Sequence, residues 1–108
     1  MRSLSVDQVR FDAAGLAPVI VQNASTGKVL MLAWTNQSTL SESITLGKLV
    51  FFSRSRNSRW LKGETSGNFL QIQELSLDCD GDAILAQVFP VGPACHNGTE
   101  TCFEEPDA

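Results

Sequence analysis

Two short apolar runs on either side of a four-residue turn limit the fold of this chain more than any other feature. Pro18-Val19-Ile20-Val21-Gln22 is rich in β-branched residues, Ala24-Ser25-Thr26-Gly27 has turn chemistry, and Lys28-Val29-Leu30-Met31-Leu32-Ala33-Trp34 is the second run. Such a pair predicts a β-hairpin. One later window has helical character. Thr35 or Asn36 can cap a helix over about 36–46, in which Leu40 and Ile44 share a face and Gly47 supplies the stop. The second half is β-rich. Leu49-Val50-Phe51-Phe52 reads as a buried strand. From Phe69 to Leu77 the residues alternate, but Leu70 and Ile72 share one parity while Leu75 and Leu77 share the other. A β-bulge near Gln73-Glu74 reconciles the two phases. Asp80-Gly81 is a hairpin-turn signal, with Ala83 to Phe89 as the return strand. Beyond Pro90, the residues Gly92, Pro93 and Gly98 exclude regular structure. The fold expected is mainly β, an α+β arrangement with one principal helix, in a single domain spanning 1–108.

At 108 residues and 43% apolar the chain can form a core, but a small one. A metal site or an intimate dimer would add stability to a chain of this size. No apolar run is long enough to span a membrane. The N-terminal stretch Met1 to Gly15 lacks the apolar segment of a secretory signal, so the expected location is cytoplasmic. The net charge of −4 lacks the basic excess of a nucleic-acid binder. The charges are unevenly spread, however. Lys48, Arg54, Arg56, Arg59 and Lys62 are five of the eight basic residues, and the acidic residues gather at Asp78, Asp80, Asp82 and in the tail. That division suits an anionic substrate on one side and a cation on the other.

Three segments carry chemistry. In Asp78-Cys79-Asp80-Gly81-Asp82, carboxylates at alternate positions can converge on a hard cation. An EF-hand loop is excluded, because Ala83 stands at its sixth position and Phe89 at its twelfth. A polar hairpin turn is the plainer reading. Cys95-His96 and Cys102, with Cys79 upstream, offer thiolate and imidazole, the usual zinc ligands. Three ligands and an open position would suit a catalytic zinc, which lowers the pKa of bound water to about 7. Otherwise Cys79 is a small buried strand residue and the other two are incidental. Ser53-Arg54-Ser55-Arg56 puts two arginines two apart, on one face if the segment is a strand. With Lys62-Gly63-Glu64-Thr65-Ser66-Gly67 they can form a phosphate cradle, although a solvated edge strand explains arginines equally well. The loop lacks the P-loop pattern, which argues against an ATPase.

In order and spacing, these segments resemble the phosphoribosyl-AMP cyclohydrolase family. The resemblance runs through Met31 to Trp34, Phe52 to Arg56, Trp60 to Asn68, Leu77 to Ala83, Gly92 to Gly98 and Cys102-Phe103. It covers about 6–103 and looks like the stand-alone form. It implies hydrolysis of the N1–C6 bond of phosphoribosyl-AMP, the third step towards histidine, by zinc-activated water. It also implies a small intertwined β-rich homodimer with shared sites and no nucleic-acid or membrane partner. By the same resemblance Cys79, Cys95 and Cys102 hold one zinc ion per subunit, with Cys79 coming from the other subunit, and Asp78, Asp80 and Asp82 hold Mg²⁺. If Asp78, Cys79 and Asp80 alternate along a strand, Cys79 points away from the aspartates, so one subunit need not send all four groups to one spot. His96 and Glu64 are then candidates for proton handling, with His96 alternatively a fourth zinc ligand. Arg54, Arg56, Lys62, Thr65 and Ser66 would hold the phosphates of the nucleotide substrate.

The chain departs from the family twice. Leu61 stands where many relatives carry histidine. Glu100 stands where arginine is common, reversing a charge beside the proposed zinc site. Two other classes compete with the enzyme. A structural zinc module would close Cys79, Cys95, His96 and Cys102 on one ion, leaving the arginines and the Lys62–Gly67 loop unexplained. A redox pair of Cys95 and Cys102 would have six intervening residues, unlike a CxxC motif.

Overall fold

The computed structural model describes residues 4–95 and 98–103. Its elements are a short 3-10 turn at Val6–Gln8, strands β1 (Leu16–Asn23) and β2 (Val29–Asn36), helix α1 (Gln37–Leu46), and strands β3 (Val50–Ser53), β4 (Ser58–Leu61), β5 (Leu70–Leu77) and β6 (Ile84–Pro90). The mainly β architecture with one principal helix is as expected. Among the described residues, no helix is long and apolar enough to cross a membrane.

Four strands form one sheet in the order β2-β1-β6-β5, and β3 pairs with β4 in a second. The hairpins β1–β2, β3–β4 and β5–β6 are antiparallel, while β1 and β6 run parallel at the sheet's centre with Val19 opposite Ile84. One face carries Ala17, Val19, Val21, Ala33, Ile84, Ala86 and Val88, all buried in a core that also takes in Leu40, Leu49 and Phe51. On the other face, Ile20, Leu32 and Phe89 are exposed. The phase slip in β5 is a bulge between Ile72 and Glu74, where the sequence places it. A second bulge, unforeseen, lies in the first hairpin. Val21 is opposite Met31 but Gln22 is opposite Val29, so Leu30 is the extra residue and turns inward beside Met31.

The helix is capped as read, but its buried face is Thr39, Leu40 and Ser43, and Ile44 is exposed. The Asn36 side chain accepts from Thr39 N–H at 2.8 Å, Thr39 reciprocates, and Gly47 takes the left-handed conformation at φ 72°. Ser43 fastens α1 to β3. Its hydroxyl oxygen accepts from Val50 N–H at 2.8 Å and its proton is within reach of the Thr39 and Val50 carbonyls. Ser43→Ala is expected to orphan this buried amide and cost about 1–3 kcal/mol, read as a lower denaturant midpoint. Arg59 on β4 adds a bidentate ion pair to Glu42, whose carboxyl the arginine hydrogen bond holds below the usual range.

Two readings of the site segments change. Arg54 and Arg56 do not share a strand face, because β3 ends at Ser53 and 54–57 is a turn with Asn57 at φ 49°. Asp78, Cys79 and Asp80 do not alternate along a strand either. They lie in the β5–β6 turn, and Cys79 is exposed there rather than buried.

Candidate functional site

The first cluster is the β5–β6 turn. Gly81, at φ 77°, donates its N–H to the Asp78 carbonyl at 3.1 Å and closes the turn. The Asp78 carboxylate accepts the amides of Asp82 and Ala83 at 3.0 and 3.2 Å. One oxygen from each of Asp78, Asp80 and Asp82 lies within 4.8 Å of the others. Burial works to raise the Asp78 pKa, but the Ala83 amide and hydrogen bonds with Asp80 and Asp82 outweigh it and hold it low. Asp82 is pushed up, first by its hydrogen bond with Asp80 and then by that with Asp78. Crowded carboxylates of this kind fit a hard cation, which takes oxygen ligands and relieves their repulsion. Arg10 docks its N–H on the Gly81 carbonyl at 2.8 Å. Its side chain lines, with Asp80, Asp82, Phe11 and Trp34, a cleft of ≈ 500 Å³.

Trp34 also lines a second cleft, of ≈ 520 Å³, with Phe52, Ser53, Arg54 and Trp60. Here the Arg54 guanidinium lies 4.2 Å over the Trp34 ring. Beyond Trp60 comes Lys62, with its ammonium 5.9 Å from that ring and the residue only 7% exposed. Burial, and then the Cys95 thiol, push the Cys102 pKa up, and the Lys62 charge offsets part of that rise. Lys62 is thus a buried cation whose charge acts on Cys102 and whose ammonium lies near Trp60, a wall of the arginine cleft. Thr65 and Ser66 are exposed on the following loop, where Ser66 caps the Asn68 amide at 3.2 Å. Glu64 is exposed too, and its charge acts on Arg59. Arg56 is exposed in its turn, with its amide on the Ser53 hydroxyl at 3.3 Å.

The third cluster is the loop after β6. Cys95 and Cys102 come within hydrogen-bonding reach of each other, and no disulfide joins any cysteine. The loop is closed by Ala94 N–H on the Glu100 carbonyl and Cys95 N–H on the Thr99 carbonyl, both at 3.2 Å. Two facing thiols form a soft donor pair that fits zinc. Glu100 does not leave an unanswered charge beside them, because Lys28 pairs with it at 3.3 Å. His96 lies outside the described residues.

Cys79 does not join the other two thiols within one chain. Cys102 is bound to β2 at Leu30, level with Gln22 and Gln87, whereas Cys79 lies beyond the start of β6, past the level of Val19. Four residues along the strands and two strands across separate them by roughly 15 Å. Among the described residues, the aspartate trio is the cluster that brings three metal-capable groups together.

The signals for the second cleft were weak. Trp34 and Trp60 lie in segments that carry the family resemblance, but nothing local gives either a place in a cleft or marks Arg10 as a neighbour of the acidic turn.

A family model described as phosphoribosyl-AMP cyclohydrolase matches residues 31–104. A phosphoribosyl-AMP cyclohydrolase of Rhodospirillum centenum is 52% identical over 96 residues, covering 89% of this chain and 72% of that protein. One of Corynebacterium jeikeium is 48% identical over 98 residues, covering 91% and 77%. The histidine biosynthesis bifunctional protein HisIE of Thermus thermophilus is 52% identical over 100 residues, and the chain spans 47% of its length.

Proposed function

Because this chain belongs to the phosphoribosyl-AMP cyclohydrolase family, we propose that it opens the adenine ring of phosphoribosyl-AMP in histidine biosynthesis, as a cytoplasmic homodimer with two shared active sites. Water adds at C6, the C6–N1 bond breaks, and N1 takes up a proton. The products are a carboxamide at the former C6 and a formamidine between the former N1 and N3.

The observation that carries the shared site is the separation of the thiols. Cys95 and Cys102 meet at one end of the sheet while Cys79 is presented at the other, so a site of three thiolates needs a second copy. The exposed apolar face with Ile20, Leu32 and Phe89 supports the same reading, since such a face suits a partner. Cys95 and Cys102, with Cys79 of the other subunit, would hold zinc, and Asp78, Asp80 and Asp82 would hold Mg²⁺. Zinc in such a site supplies a water of pKa about 7 as the nucleophile.

The chain's own groups do the rest. Arg54, stacked on Trp34, offers a fixed guanidinium for one phosphate, and Phe52 and Trp60 give the cleft apolar walls against which a base can lie. Lys62, near Trp60 and with a charge that reaches Cys102, brings positive charge to the substrate where it approaches the thiols. Arg56, Thr65 and Ser66 remain candidates for the second phosphate. His96, next to a thiol ligand in sequence, and Glu64 are candidates for carrying the proton to N1.

Ring opening destroys the purine chromophore. Adding the protein, with zinc and magnesium, to phosphoribosyl-AMP is expected to change the ultraviolet spectrum, and a chelator to stop the change. A folded, zinc-containing protein that leaves the spectrum unaltered would contradict the proposal and leave zinc a structural role only.

A further inference from the structure

Resting on the zinc reading above, we infer that Thr101 is a positioning residue that fixes Cys102 as a metal ligand by hooking the loop onto the bulge in β2. Thr101 is 3% exposed although it lies in an irregular loop. Its hydroxyl reaches two consecutive carbonyls, Val29 at 2.7 Å and Leu30 at 2.9 Å, and its oxygen accepts Phe103 N–H at 3.1 Å. Cys102 N–H joins the same Leu30 carbonyl at 2.7 Å. The Thr101 carbonyl is itself held by the Thr99 hydroxyl at 2.8 Å.

In a regular strand, successive carbonyls point in opposite directions, so one side chain does not reach two in a row. The extra residue at Leu30 breaks that alternation, and bulges of this kind commonly re-aim groups beside active sites. The bulge and Thr101 therefore act together. The rigid sheet sets the bulge, the bulge presents two acceptors, and Thr101 fixes the backbone on both sides of Cys102. The thiol then meets Cys95 with its direction already set. A loop without this hook would have to order Cys102 at the moment of metal binding, and the affinity would fall by the cost of that ordering.

The test is cobalt binding to the full chain, which reports thiolate ligation by its charge-transfer absorption and affinity by competition with a chelator. The unaltered protein is expected to show the thiolate band. Thr101→Val, which keeps shape and loses the hydroxyl, is expected to bind about 10–100-fold more weakly, the usual effect of removing a group that orients a ligand, and to show a shifted band. Thr101→Ser is expected to restore both affinity and spectrum, which a role in packing alone would not do. Equal affinity and an identical band in Thr101→Val would overturn the inference while leaving the zinc site standing. An unaltered chain that takes up no cobalt through thiolates would overturn the zinc reading and this inference with it. Should Thr101→Val not fold, Thr101→Ala removes the hydroxyl without burying a second methyl against two carbonyls, and full affinity there is equally decisive against the hook.

Discussion

Subunits carrying Cys79→Ser, inactive alone, are expected to regain activity when mixed and re-dimerised with equally inactive Cys95→Ser subunits. In a mixed dimer one site combines Cys79 of the Cys95→Ser chain with Cys95 and Cys102 of the Cys79→Ser chain, and is whole. The other site carries both lesions. Random pairing makes half of the dimers mixed, so about a quarter of the wild-type sites return for an isologous dimer. Zinc content should recover in the same proportion. If mixed dimers form, as mass spectrometry can show, and neither zinc nor activity returns, the thiols are not shared between subunits.

The expectation is geometric. The β5–β6 hairpin carries its turn to one end of the sheet, and β6 then returns the chain to the other end before Cys95 is reached. No rotamer of an exposed cysteine in that turn spans the length of a strand. The alternative of a closed structural site on one chain, with all three thiols on one ion, therefore conflicts with the strand register rather than with any single contact.

Much of this scaffold is legible along the chain because its signals are local. Asn36 and Gly47 bound the helix by cap chemistry, and the phase slip between Ile72 and Leu75 reveals the bulge in β5. The acidic turn is marked by Asp80-Gly81. The misreadings come where a local pattern mimics another. Ser53-Arg54-Ser55-Arg56 has the period of a strand, but polar alternation of this kind holds no strand in place. Asn57, a residue that tolerates positive φ, was the sign of a turn. β4 is short and largely exposed, so no apolar face announces it. The parallel pairing of β1 with β6 joins segments over sixty residues apart and has no local signal. The burial of Lys62 is likewise set by the crossing of distant segments. The second bulge did leave a trace, since Val29 to Trp34 are six apolar residues in a row where a half-buried strand should alternate.

Gly63→Ala is expected to be as damaging as the loss of a ligand, without touching one. Gly63 has φ 92°, and a Cβ there would stand 2.5 Å from Phe69 N and 2.6 Å from the Asn68 carbonyl carbon. Both are backbone atoms, and neither can retreat cheaply. Phe69 carries the chain into β5 at the fully buried Leu70, and its carbonyl holds Val91 N–H at 2.9 Å on the way to Cys95. Asn68 also packs against Gly92 in that same loop. The added methyl thus pushes at once on the loop of Lys62, the start of β5 and the approach to the thiols. Overpacking and the strain of positive φ together should cost about 3 kcal/mol or more, a large share of the stability of a small domain. Displacement of Lys62 and of the approach to the thiols should lower kcat/KM by about a hundredfold even in the fraction that folds. Gly67→Ala is the control, since Gly67 has a similar φ of 80° but nothing within 4 Å of its Cβ position. It should cost only the strain, about 1–2 kcal/mol, and leave kcat/KM nearly unchanged. Equal losses of stability and activity at the two glycines, measured by denaturant melts and the ring-opening assay, would mean that backbone conformation alone governs this loop and that the close crossing with Asn68 and Phe69 does not.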